Sequence, residues 1–284
     1  MSNHDAEGGS ATLPAVPLTL EGASVLHQVM RFRWTAWRRL SGREKTQIVQ
    51  EAVTLLGPAE AAGESALFSV LGHKGDLLVV HFRPSLEELN AVQLALNRLR
   101  WQEYLRPTAS YVSVVELGLY ESSVKLYRSL GERGVTPHSE EWNREVGELL
   151  QRQQTAMASR LFPKIPDHRF LCFYPMDRRR GEHKNWYTLP IEERKRQMDE
   201  HGAVGRRYAG KVQQIISGSI GFDDSEWGVD LFGDDPVVFK KLIAEMRYDE
   251  VSGVYSTFGT FYLSVRCPVA GLMDWLEGKP ASGN

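Results

Sequence analysis

Two side chains in this sequence are of types that could carry chemistry: His201, in Glu200-His201-Gly202, and Tyr174, in Phe173-Tyr174-Pro175-Met176. A neutral imidazole is a common axial ligand for porphyrin iron. A tyrosine ring is oxidisable and can hold a radical. Each residue also has a plain reading. A histidine at a helix C-terminus interacts well with the helix dipole, and a tyrosine at a strand end is usually a packed ring with a bonded hydroxyl. No second histidine lies three or four residues from His201, so a zinc-type pair is not supported. The other histidines checked for metal spacing, His27, His73, His81, His138, His168 and His183, show none, and neither do the two cysteines, Cys172 and Cys267.

The surroundings of these two residues are basic. Between Arg160 and Lys211 there are 13 Lys or Arg against 7 Asp or Glu, inside a chain whose net charge is −2. Such a run is either a solvated face or a site for a polyanionic small molecule. Arg178, Arg179 and Arg180 follow Tyr174 closely, and guanidinium forks suit carboxylates. Gly205–Asp224 reads as a strand bracketed by glycines, with Gln214 as a polar side chain in it. It lacks a Walker-type Gly-Lys-Ser/Thr, which excludes a nucleotide loop. No Gly-x-Ser-x-Gly elbow supports a serine hydrolase. The overall charge gives no sign of nucleic-acid binding.

The elements that must position these residues form an approximate internal repeat. Val25–Trp34, Ala66–Gly72, the apolar start of Gly75–Arg100 and Ala109–Leu119 read as strands, with helices over Ser41–Leu56 and after Pro84-Ser85. In the second half, Phe170–Met176, Val212–Ile220, the start of Glu226–Glu250 and Val254–Val265 read as strands. Helices are expected over Pro190–His201 and after Asp234-Asp235-Pro236. Pro84-Ser85 and Asp234-Asp235-Pro236 are good helix-start chemistry. Thr188 is the expected cap of the His201 helix, and Gly202 its expected stop. Both halves therefore read β-α-β-β-α-β, the ferredoxin-like unit, and two such sheets packed face to face would cover each other. Aligning the halves sets Leu56 opposite His201, so the second half holds a potential ligand where the first has leucine. Pleat alternation puts Phe170, Cys172, Tyr174 and Met176 on one face.

The expected organisation is a loose tail over Met1–Leu18, a first domain over 19–121, a partly helical connector over 122–162, a second domain over 163–276 and a short tail over 277–284. A length of 284 residues with 42% hydrophobic content suffices for two cores. No apolar run approaches the roughly 18–20 residues of a membrane span, and no signal-peptide pattern is visible at the start. The expected compartment is the cytoplasm.

The stretch from Phe173 through Phe232, "FYPMDRRRGEHKNWYTLPIEERKRQMDEHGAVGRRYAGKVQQIISGSIGFDDSEWGVDLF", followed by "EMRYDEVSGVYSTFGTFY", closely resembles the coproheme decarboxylases. These belong to the chlorite dismutase-like superfamily of pentameric haem proteins. The resemblance is continuous over Arg160–Tyr262 and weaker but collinear over about Leu20–Glu116. It implies an α+β chain of two ferredoxin-like domains of the dimeric α+β barrel type, a homopentamer, and a porphyrin site in the second domain. It implies His201 as the proximal iron ligand and Tyr174 as the catalytic radical tyrosine. Arg160, Met176 and Ser252 match residues that line the pocket or bind propionates, Trp186 a pocket tryptophan, and Gln214 the distal residue above the iron.

The implied reaction uses hydrogen peroxide to convert two propionates of iron coproporphyrin III (coproheme) to vinyl groups, giving haem b. The porphyrin is both substrate and redox centre. A transient contact with a ferrochelatase is the protein partner this suggests. Two positions matter. Family members often carry a lysine where this chain has Arg178, and arginine anchors a carboxylate but hardly releases a proton. Chlorite dismutases place an arginine at the position of Gln214, so glutamine argues against chlorite chemistry. A non-catalytic haem carrier, and a chlorite dismutase or generic haem peroxidase, are the alternatives.

Overall fold

The computed structural model describes residues 13–280. In the first half, β1 (Thr19–Phe32), β2 (Ser65–Val70), β3 (Leu77–Arg83) and β4 (Leu105–Gly118) are joined by α1 (Trp34–Trp37), α2 (Gly42–Ala61) and α3 (Leu86–Asn97). Three helices then lead across: α4 (Tyr120–Glu132), α5 (Glu140–Ala156) and α6 (Ala158–Leu161). The second half holds β5 (Phe170–Arg178), α7 (Ile191–Arg206), β6 (Gln213–Gly218), β7 (Trp227–Gly233) and α8 (Pro236–Met246). It continues with α9 (Glu250–Gly253), β8 (Ser256–Phe258), β9 (Tyr262–Arg266) and α10 (Leu272–Leu276).

Each half has the ferredoxin-like strand order, β4-β1-β3-β2 in the first and β9-β5-β7-β6 in the second. The fold is therefore mixed α+β, built from two such units. The sheets do more than face each other. β4 pairs with β6 through Val114 and Gly218, and β2 pairs with β9 through Phe68 and Arg266. With β5 bonded to β7, the strands close into a ring. Closure leaves no bare edges in the ring, and one apolar interior serves both halves: Val25, Phe68 and Val80 meet Leu171, Phe173 and Phe232 there.

Helix starts follow the expected chemistry. Ser41 and Glu44 form a reciprocal capping box on α2, Ser85 caps α3, and Asp235 with Pro236 opens α8. The expected strand Val254–Val265 is instead split into β8 and β9. The break falls opposite Pro175, which has no N–H to give to a ladder. Gly259 fits there by donating its N–H to the Pro175 carbonyl at 2.9 Å.

The expected boundaries shift at both ends. Residues 1–12 lie outside the described residues, as do 281–284. The rest of the supposed tail is tied down: Leu13 and Leu18 pack near Tyr127 and Trp142, and Tyr127 Oη donates to the Val16 carbonyl at 3.0 Å. The end of the second domain belongs structurally to the first. Cys267, Val269, Leu272, Trp275 and Leu276 join the core that α2 covers.

Across the shared interior, His27 Nε2 of β1 meets Asp230 Oδ1 of β7 at 2.9 Å, both fully buried. His27 also stacks on Phe173, with ring centroids 3.8 Å apart. Removing one partner of a buried pair typically costs about 3–5 kcal/mol. Asp230→Ala is expected to lower the unfolding free energy by that amount, read as a lower urea midpoint at an unchanged slope. A loss below about 1 kcal/mol would show that the pair contributes little to closure.

Candidate active site

A cavity of about 730 Å³ lies in the second half, between the outer face of the β5-β7-β6 sheet and the helices α7 and α8. This is within the usual size of small-molecule sites, roughly 300–1,000 Å³. The pleat of β5 decides what reaches it. Leu171 and Phe173 point into the barrel, and Cys172, Tyr174 and Met176 point outward. Tyr174, Met176 and Arg178 line the cavity.

Tyr174 is almost fully buried and stacks on Phe261, with ring centroids 4.4 Å apart. The β8–β9 break places Phe261 there. Burial, with a contribution from Cys172, pushes the Tyr174 phenol well above its ordinary value, and Arg247 opposes this weakly. The phenol is thus neutral, and oxidising it would remove a proton together with an electron.

His201 lines the same cavity from α7. The helix does not stop at Gly202 as expected; it runs through it to Arg206. Gly202 does not take the positive φ that a glycine stop requires, so His201 is an interior helical residue and the helix-end explanation fails. Nor does Thr188 cap the helix: its hydroxyl donates to the Asn185 carbonyl, and Pro190 holds the cap position.

The Asp249 carboxylate fixes the ring. Its Oδ2 lies 2.8 Å from His201 Nδ1, and its Oδ1 accepts the Ser252 backbone N–H at 2.7 Å. Ser252 Oγ is 3.5 Å from the same Nδ1. With Nδ1–H donated to Asp249, Nε2 carries the free lone pair, the usual arrangement behind a ligating histidine. Among the described residues no group of three His, Cys, Asp or Glu could hold a metal ion. A metal held here through His201 would have to arrive already coordinated, as iron does in a porphyrin.

The basic run separates into two sets. On α7, Arg196 is paired with Glu193, Glu200 and Glu250, and Lys195 with Asp199. Arg160 and Arg178 line the cavity, whereas Arg179 is exposed and Arg180 pairs with Glu226. Arg178 donates to Ser256 Oγ at 2.8 Å and lies over the Trp186 ring at 4.7 Å. Burial pulls its guanidinium below the ordinary arginine value, but an arginine remains charged. Trp186 is buried behind Arg178 and outside the cavity lining, so it positions the arginine and is not itself a wall. Gln214, on β6, does line the cavity.

Of the expected site residues, the structure thus brings His201, Tyr174, Arg160, Met176, Arg178, Gln214 and Ser252 to one cavity, with Trp186 one layer back. Sequence reasoning did not find Asp249, Ser256 or Arg247. Asp249 and Ser252 carry the Asx cap spacing of a helix start, a signal for a cap that says nothing of a histidine 48 residues earlier.

Residues 45–267 match the chlorite dismutase family, and the chain belongs to it. A solved structure from Thermus thermophilus, described as a novel heme-binding protein, is 36% identical, with 94% of this chain and 99% of that one covered at a TM-score of 0.79. A mutant chlorite dismutase from Candidatus Nitrospira defluvii in complex with cyanide shares the fold at 15% identity, with coverage of 90% and 95% and a TM-score of 0.66. The chlorite dismutase of the same organism in complex with imidazole gives 16%, 90%, 95% and 0.66. Among the described residues, no helix is long and apolar enough to cross a membrane.

The Asp249 contact has a pH consequence. Burial works against ionisation of Asp249, but the hydrogen bonds from His201 and Ser252 outweigh it and hold the carboxyl below its ordinary range. A depressed carboxylate contributes stability above its unfolded value of about 3.9, lost as pH falls through the lower folded value. Wild type should therefore be more stable than Asp249→Asn at pH 7, and the gap in urea midpoint should close below about pH 4. A gap independent of pH would refute the charge argument.

Proposed function

We propose that this chain uses hydrogen peroxide to decarboxylate two propionates of coproheme oxidatively, giving haem b. The observation that carries the reading is the meeting of an oxidisable buried phenol and a carboxylate-backed imidazole in one cavity rimmed by arginines. Likeness to the heme-binding Thermus protein supports a porphyrin as the ligand.

The residues suit that ligand. His201 Nε2 would take the iron, with Asp249 setting ring orientation and basicity. Arg160, Arg178 and Ser252 would hold carboxylates, and Trp186 keeps Arg178 in place by a cation–π contact. Met176 contributes apolar wall beside Tyr174. When bound, the iron supplies the reaction with peroxide.

Per propionate, loss of carbon dioxide to form a vinyl releases two electrons and one proton. One hydrogen peroxide accepts the two electrons with two protons and becomes two waters. The net demand is one proton per propionate. Tyr174 serves this balance by losing its phenolic hydrogen and then taking a hydrogen atom from the propionate β-carbon. Carbon dioxide and the second electron leave together, and both electrons end on peroxide oxygen. Gln214, in place of an arginine, disfavours a chlorite dismutase reading.

The test is a titration of the purified protein with ferric coproheme, followed by peroxide and mass spectrometry of the porphyrin. Stepwise loss of two carboxyl groups is expected. An unchanged porphyrin would leave a non-catalytic carrier, and oxygen release from chlorite would revive the dismutase. Tyr174→Phe should bind coproheme with unchanged affinity but lose conversion; normal turnover in that variant ends the radical assignment. Arg178→Lys, which supplies a group able to release a proton, should reduce accumulation of the three-propionate intermediate. If accumulation is unaltered, proton donation at this position does not limit the second step.

A further inference from the structure

Among the described residues, the cavity lining contains one acidic side chain, Glu116, and the reading above gives it no role. It lies on β4, where Val115 points into the barrel and Glu116 therefore points to the cavity side. The β4–β6 ladder ends at Val115 and Ser217, so Glu116 is the first residue past the seam. Its carboxyl lies over Gly218 of β6, where a side chain would collide with Oε2. On the other side, β1 places Glu21 directly opposite it in register. Tyr120 of α4 is close enough to Glu116 to feel its charge, and Arg178 of β5 and Arg194 of α7 act on Tyr120 with the opposite sign; Arg160 of α6 lines the same cavity. β6 and β7 contribute the uncharged Gly218 and Trp227.

We propose that Glu116 is a specificity residue that, as a neutral carboxyl, donates a hydrogen bond to one carboxylate of a polyanionic porphyrin and, once ionised, repels it. The proposal rests on the porphyrin reading of the cavity but not on any turnover. Burial first, and the like charge of Glu21 second, push the Glu116 carboxyl up to about 7. A carboxylate ligand placed beside it raises that value further, because the negative neighbour favours the neutral form. Binding should then take up a proton at neutral and alkaline pH and none well below it.

Ferric coproheme affinity, read from the Soret band between about pH 6 and 9 without peroxide, tests this. In wild type, Kd should rise above about pH 7 with a limit of about tenfold per pH unit. Glu116→Gln, which keeps a donor but cannot ionise, should match wild type at the acid end of the range and lose this rise. Glu21→Gln leaves the cavity wall intact but removes a charge that holds the Glu116 carboxyl neutral, so the onset of the rise should move to lower pH. A wild-type slope retained in Glu116→Gln overturns the proposal, as does an onset unmoved in Glu21→Gln. The second variant decides the matter if the first fails to fold. Peroxide added to the same samples separates the two claims. Slopes as expected with no conversion would sink the proposed reaction and leave this role standing. Conversion with the wild-type slope retained in Glu116→Gln would do the reverse.

Discussion

β5 is hydrogen-bonded along both edges, to β7 on one side and to β9 and then β8 on the other. A strand held that way cannot slip by one residue without sending its buried set to the opposite face. Leu171 and Phe173 anchor it inside the barrel, and the same pleat fixes Tyr174 and Met176 toward the cavity. The position of the phenol is thus a consequence of ring closure. The partner strand yields instead: it breaks opposite Pro175, and the break delivers Phe261 onto Tyr174.

Duplication of the fold has not duplicated the cavity. The place of His201 in the second half corresponds to Leu56 in the first, and Leu56 is sealed in a core with Trp37, Trp101 and Trp275. Trp275 and its neighbours come from beyond β9, so the C-terminal segment completes the core around Leu56 on the first half. Burying such side chains stabilises by about 1.5–3 kcal/mol each, while an open cavity forgoes that gain. The halves therefore differ, one holding a packed core and the other an open cavity.

Much of this was legible locally. Period and capping residues pointed to the two β-α-β-β-α-β units, because Ser85 and Asp235 act within three residues of themselves. Alternation along Phe170–Met176 was legible for the same reason. Gly202 misled because glycine can end a helix or merely sit in one, and the remaining turn to Arg206 is held by tertiary packing. The Asp249–His201 bond, the docking of Trp275 on the first half and the edge pairing of β4 with β6 join residues far apart in sequence. No local pattern records them. The chemistry of His201 and Tyr174 was proposed from resemblance, since each residue type also has a structural use.

The difference between the two sets of basic residues has a physical basis that the net charge hides. Exposed Arg196 is surrounded by carboxylates whose attraction is largely screened by water and salt. Arg178 and Arg247 instead rest on aromatic faces, Trp186 and Phe258, and among the described residues neither forms a carboxylate ion pair. An aromatic face orients a guanidinium without neutralising it. The charge then remains available, in a partly desolvated wall where an ion pair is stronger than at the surface. A ligand bearing carboxylates would complete that wall, and a neutral ligand of the same shape would leave its cations uncompensated.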